Sequence, residues 1–157
     1  MATSAKPAAA RVFLDSGVLL EGIFAPWSVS RALLILGRSG AFRIVLAEVV
    51  REEVERNLLA CVDEDEVFAE KALATYSKLL RLLRPQRVPS PDLAEVVRYR
   101  HVIKHLADVP VLASAIRAAP DWLVTTNTRH FNESVARKTG LRIVDPAGLL
   151  RVLRLVN

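Results

Sequence analysis

The sequence predicts an α/β fold, a three-layer α/β/α sandwich with a central, mainly parallel sheet. Three observations carry that prediction. Short β-type apolar runs alternate with helical stretches through most of the 157 residues, and strands separated by helical crossovers pair in parallel. The first run, Val12-Phe13-Leu14, is continuously apolar, as a strand buried on both faces must be. It stops at a carboxylate, Asp15, in RVFLDSGVLL. In open α/β sheets ligands gather outside the carboxyl ends of the strands, so an acid there stands where chemistry usually happens.

The elements follow in chain order. Residues 1–10 read as a flexible tail and 11–157 as a single domain. Ser16 and Gly17 can turn the chain after the first strand and let a helix begin near Val18; Asp15 could equally be the cap of that helix. Ser28 to Gly37 (SVSRALLILG) has a capping serine, an apolar run and a glycine stop, which predicts a helix. Phe42 to Leu46 is short and β-rich, a second strand, and Ala47 to Leu59 a charged helix. Asp63 to Leu83 reads as a longer helix opened by DEDE and closed by Lys and Arg, charges that suit the two ends of a helix dipole; the density of acids also admits a metal. Prolines at 85, 89 and 91 interrupt the pattern, leaving Arg87 and Val88 as a short edge strand. Asp92 to Leu106 is weakly helical and Asp108 to Ala119 strongly so. Trp122 to Thr125 reads as a strand, Asn132 to Thr139 as a helix, Leu141 to Val144 as a strand, and Pro146 to Leu155 as a closing helix with Pro in its first turn.

Composition narrows the function classes. Hydrophobic residues make up 52% of the chain, enough for a real core and too many for a disordered protein. The 22 Lys and Arg against 17 Asp and Glu give a formal net charge of +5, a balance that favours polyanionic partners. Cys61 is the only cysteine, which excludes an internal disulfide and a cysteine-built zinc site and fits a reducing compartment. With neither an apolar leader in MATSAKPAAA nor an apolar run of membrane-spanning length, the expected location is cytoplasmic, with no membrane partner.

The acids single out candidate residues. On a helical wheel of about 100° per residue, Leu46, Val49, Val50, Val54 and Leu58 share one arc, and Glu48, Arg51, Glu52 and Glu55 the opposite one. Glu53 falls inside the apolar arc, where a carboxylate must be paired, protonated or bound to a cation. Asp108 precedes an apolar helix with Pro110 early in it, which also suits an N-cap. The strand Trp122 to Thr125 runs into Asn127, whose side-chain carbonyl can serve a hard cation without adding charge. Asp15, Glu53, Asp108 and Asn127 can therefore meet at one edge of the sheet as oxygen ligands for Mg²⁺ or Mn²⁺, an ion that activates water and stabilises phosphoryl oxygens in hydrolysis.

Beside them, Ser16 and Thr125 can hydrogen-bond a ligand carboxylate or a phosphate, or satisfy local backbone. Arg129 and His130 can contact the phosphate of a polyanionic partner, or form a solvated turn. His101 and His105 lie one helical turn apart but lack the companion ligands of a metal motif. Trp27 and Trp122 are expected in the core.

The motifs FLDSGVLL, VLAEVVREEVERNL, DVPVLASAIRAAPDWLVTTNTRHF and GLRIVDPAGLL, in this order between Arg11 and Val152, resemble the PIN-domain ribonucleases, including the VapC-type toxins of toxin–antitoxin pairs. The resemblance maps the family's acids onto Asp15, Glu53 and Asp108, with Asn127 where a fourth acid is usual and Gly17 where the family often has Asn. It implies a PIN-like sandwich and an Mg²⁺-dependent endoribonuclease that hydrolyses phosphodiester bonds of single-stranded RNA. It further implies one or two Mg²⁺ or Mn²⁺ ions as cofactor, and RNA, a cognate antitoxin protein and a homodimer as partners. The rival expectation is a catalytically weakened module of the same fold that binds RNA or a protein without cleaving.

Overall fold

Five short strands, β1 (Arg11–Leu14), β2 (Arg43–Ala47), β3 (Gln86–Val88), β4 (Trp122–Val124) and β5 (Ile143–Val144), form one sheet in the order β3-β2-β1-β4-β5. Every pairing is parallel. The computed structural model describes residues 8–155, so residues 1–7 of the expected tail lie outside the described residues. β1 is central: Phe13 stands opposite Val45 on one side and Leu123 on the other. Val12, Phe13 and Leu14 are all buried. Alternate side chains of a strand point to opposite faces, so helices must cover the sheet on both sides. The apolar run in the sequence is the direct trace of that double burial.

The helices are α1 (Ser16–Phe24), α2 (Val29–Arg38), α3 (Glu48–Ala60), α4 (Glu66–Leu83), α5 (Leu93–Tyr99), α6 (Val109–Ala118), α7 (Glu133–Thr139) and α8 (Pro146–Val152), with a 3-10 turn at Leu106–Asp108 before α6. Several begin on side-chain caps, of which Ser28 is the one the sequence suggests. The Ser28 hydroxyl accepts from Arg31 N at 3.1 Å, Asn132 Oδ1 from Val135 N at 3.1 Å, and Asp145 Oδ1 from Gly148 N at 2.6 Å. Each such bond satisfies an orphan amide of the first turn and is worth about 1 kcal/mol. Val50, Val54 and Leu58 of α3 are buried, which fixes the rotation of that helix and turns Glu53 inward at its margin.

Several expectations are corrected. α1 opens at Ser16 and not near Val18, so Ser16 and Gly17 lie in its first turn. Gly37 does not stop α2, which runs on to Arg38. A Cβ there would stand 2.6 Å from Ile44 Cδ1, so the glycine serves the close approach of α2 to β2. The DEDE run lies mostly before α4: Asp65 is its cap, accepting from Phe68 N at 3.0 Å, and only Glu66 is helical. The stretch 92–106 is helical only to Tyr99, because the chain leaves the helix to bury Ile103. Trp27 is 87% exposed at the turn between α1 and α2. An indole at a chain reversal projects away from the core, so the core expectation fails for it; Trp122 is half-buried under the Arg142 guanidinium, 5.2 Å from its ring.

Candidate active site

The C-terminal edge of the sheet brings the predicted residues of β1 and β4 side by side. Leu14 is in register with Val124, and Asp15 N continues the pairing by donating to Val124 O at 3.0 Å, so Asp15 and Thr125 leave the sheet as neighbours. Asp15 is only 7% exposed. Its Oδ1 accepts from Ser16 N at 2.8 Å and its Oδ2 from the Thr125 hydroxyl at 2.7 Å. Thr125 is fully buried, and the same hydroxyl accepts from Asn127 N at 2.9 Å. One side chain thus joins the ends of both strands. Thr125 spends its hydroxyl inside the fold, on a carboxylate and an amide. Ser16 is buried as well and touches Asp15 through its backbone.

Asn127 is half-buried, and its Oδ1 faces His130 N at 3.4 Å. Asp108 occupies the position of an N-cap for α6 but makes no capping hydrogen bond. Its Oδ2 instead meets His130 Nδ1 at 2.7 Å. Glu53, half-buried on α3, lines a small cavity of about 160 Å³ together with Ala107, next to Asp108 in the chain, and Pro110 of α6. Arg129 is exposed in the loop after β4.

Electrostatics tie the carboxylates together. Burial pushes the Asp15 carboxyl above its ordinary 3.8; the Thr125 and Ser16 contacts pull it back in part, and the charge of Asp108 pushes it further up. Glu53 is likewise raised above 4.5, by burial first and then by the negative charges of Asp15 and Asp108, against which the Ser16 side chain and Arg56 act. Asp15 and Glu53 therefore both feel the charge of Asp108, and poorly solvated like charges disfavour their ionisation. Among the described residues no three His, Cys, Asp or Glu side chains stand close enough to form a shell around an ion as they lie. The donor set is nevertheless one of hard oxygens with a surplus of negative charge. It fits an ion such as Mg²⁺, which keeps several waters and binds through one or two carboxylates.

Two features escape sequence reasoning. The Asp108–His130 pair spans 22 residues with no local signal. The ring of His130 also stacks on that of His105, with centroids 3.4 Å apart and planes at 14°, so His105 faces His130 and not a metal shared with the exposed His101.

A family model described as PIN domain matches residues 11–129. No curated protein sequence matches the chain. Among solved structures, PAE2754 from Pyrobaculum aerophilum is similar over 98% of this chain and 96% of its own, with a TM-score of 0.66 and 17% identity. VapBC2 from Rickettsia felis, bound to a DNA fragment from their promoter, is similar over 86% of this chain and 98% of its own, with a TM-score of 0.62 and 15% identity. At these identities the likeness is one of fold.

Proposed function

The chain belongs to the PIN-domain family, whose members are generally nucleases, and from that premise we propose that it is a metal-dependent endoribonuclease acting on single-stranded RNA. The observation that carries the proposal is the buried Asp15 at the carboxyl end of β1, beside the end of β4, with the charge of Asp108 acting both on it and on Glu53. In this reading Asp15, Glu53 and Asp108 hold Mg²⁺ or Mn²⁺ and Asn127 completes the oxygen set. When bound, the ion polarises water for attack and neutralises charge that develops on the phosphoryl oxygens.

The remaining work falls to the chain itself. Ser16 N and the Thr125 hydroxyl fix the orientation of Asp15, as supporting groups do for ligand carboxylates in general. His130 does the same for Asp108. Arg129, exposed beside them, is placed in this reading against the RNA backbone. The fold resemblance to VapBC2 supports a role as the toxin of a toxin–antitoxin pair, with an antitoxin protein as partner. The test is cleavage of single-stranded RNA that requires Mg²⁺ or Mn²⁺, stops in EDTA and is lost in Asp15→Asn. RNA left intact by the wild-type protein with either ion refutes it.

One observation favours the rival reading of a binding module without cleavage. Asn127 stands where a fourth acid is usual, which leaves three carboxylates for the ion. RNA binding without turnover under any divalent ion, and no gain of cleavage in Asn127→Asp, would select that alternative.

A further inference from the structure

We propose, resting on the nuclease reading above, that the cavity beside His130 is a subsite for a backbone phosphate of the bound RNA, held by Lys104, Arg129 and Lys138. The cavity measures about 570 Å³, and its lining includes these three cations, His105, His130 and Ser134, and no acidic side chain. Its size lies in the range of ligand sites, roughly 300–1,000 Å³. Its wall is continuous with the carboxylate site, because His130 both lines the cavity and meets Asp108 Oδ2 at 2.7 Å.

Continuity with the carboxylate site through His130 distinguishes this cavity from the other acid-free concavity, which Arg31, Arg38 and Lys78 line. Arg51 pairs with Glu48 and Glu55, Arg117 with Glu95, and Arg137 with Glu133. Lys104, Arg129 and Lys138 take part in none of the ion pairs among the described residues, and all three are exposed. Arg137 and Lys138 are chain neighbours on α7, yet Arg137 pairs with Glu133 while Lys138 lines the cavity. Three cations around one concavity repel one another, and an anion seated among them removes that repulsion. Two lysines supply point charges, and an arginine supplies a planar fork that matches two phosphate oxygens. The Ser134 hydroxyl adds a neutral donor. A phosphate held here would fix the strand beside Asp108 without reading a base.

The experiment measures binding of labelled single-stranded RNA oligonucleotides of unrelated sequence in EDTA, over a salt titration, with Mg²⁺-dependent cleavage measured in parallel. Lys104→Gln, Arg129→Gln and Lys138→Gln together are compared with a charge-matched control, Arg38→Gln, Lys71→Gln and Lys78→Gln, on α2 and α4, which contribute nothing to the cavity. Each phosphate that is no longer neutralised lowers the slope of log affinity against log salt by about 0.7 for a single strand, so the slope of the cavity variant should fall by about 0.7, the share of the one phosphate the three cations hold. Its affinity should fall alike for every sequence, while the control keeps the wild-type slope. Lys104→Arg with Lys138→Arg should keep it too, and melting curves verify that each variant folds. A wild-type protein that cleaves RNA, with a cavity variant of unchanged affinity and slope, overturns the subsite and leaves the nuclease reading standing. Equal losses in cavity variant and control overturn the subsite as well. A cavity-dependent slope in a protein that leaves RNA intact with either Mg²⁺ or Mn²⁺ upholds the subsite and overturns the nuclease reading. A wild-type protein that binds no RNA overturns both.

Discussion

Thr125→Val removes one oxygen and leaves the shape of a fully buried side chain almost unchanged. That oxygen donates to Asp15 Oδ2 at 2.7 Å and accepts from Asn127 N at 2.9 Å. A hydrogen bond to a charged group contributes about 1.5–3 kcal/mol, and an amide left without a partner costs a further 1–3 kcal/mol. Asn127 is only half-buried, so water can serve its amide and the low end of the second figure applies. The sum is about 3 kcal/mol, which for a chain of this length lowers Tm by roughly 6–12 °C. The assay is thermal melting in EDTA at neutral pH, with Thr125→Ser as the comparison. Serine keeps the hydroxyl and loses a methyl, a change of about 1 kcal/mol. The pH dependence gives a second reading of the same bond. The hydroxyl holds the Asp15 carboxyl down against burial, so without it the folded state takes up a proton more readily. A raised carboxyl contributes stability below its unfolded value and loses it as pH rises through the folded one. The Thr125→Val deficit should therefore be larger at neutral pH than below the ordinary 3.8 of the aspartate. A Tm within about 2 °C of wild type at neutral pH, or a Thr125→Ser variant as impaired as Thr125→Val, would refute the bridging role.

Asp15→Asn should lower Mg²⁺-dependent cleavage by at least about 100-fold, the upper end of what groups merely supporting a metal ligand cost. In EDTA the same variant should gain stability relative to wild type as pH rises, because burial raises the proton affinity of Asp15 and asparagine carries no charge to desolvate; a pH-independent difference in melts argues against this origin. Asn127→Asp should tighten Mg²⁺ or Mn²⁺ binding by calorimetry, since ligand charge is one lever of affinity. In EDTA it should lower Tm by about 2–4 °C through roughly 1 kcal/mol of added repulsion; no change in either quantity puts Asn127 outside the ion's reach. Gly37→Ala brings a Cβ to 2.6 Å from Ile44 Cδ1 and 3.1 Å from the Phe42 ring. Overpacking of about 1–3 kcal/mol should outweigh the gain of about 1 kcal/mol in helix propensity, and a stabilised variant in denaturant titration would show that the close approach is not needed.

Burial leaves its mark on the local sequence, and that mark is legible. β1 is readable because a strand covered on both faces is apolar at every position, and Asp15 because the run ends on it. Glu53 is readable because the α3 wheel places a charge among residues the core claims. Gly37 misleads because a glycine near a helix end signals a stop as well as a close approach, and only the neighbouring Ile44 decides between them. Trp27 misleads because hydrophobicity says what a residue gains by burial, not whether a chain reversal lets it be buried. The tertiary pairs lie beyond local reading altogether. Asp108 with His130 and His130 with His105 join separate segments of the chain, whereas the Thr125 hydroxyl is readable as a donor to a ligand carboxylate and meets Asp15.

The cap role of Asp15 and its proposed ligand role do not exclude one another, as a count of lone pairs shows. An ionised carboxylate offers about four acceptor sites. Asp15 spends one on Ser16 N, which opens α1, and one on the Thr125 hydroxyl. About two remain, on a group whose charge is already costly to hold under burial and beside Asp108. Asp108 stands in a cap position too, yet gives nothing to the amides of α6 and one oxygen to His130. A residue placed only to cap would spend its acceptors on the helix. Both acids keep acceptors in reserve, in the field of a third carboxylate, Glu53. Uncommitted acceptors and unrelieved like charge are the two properties that the proposed hard cation would use together.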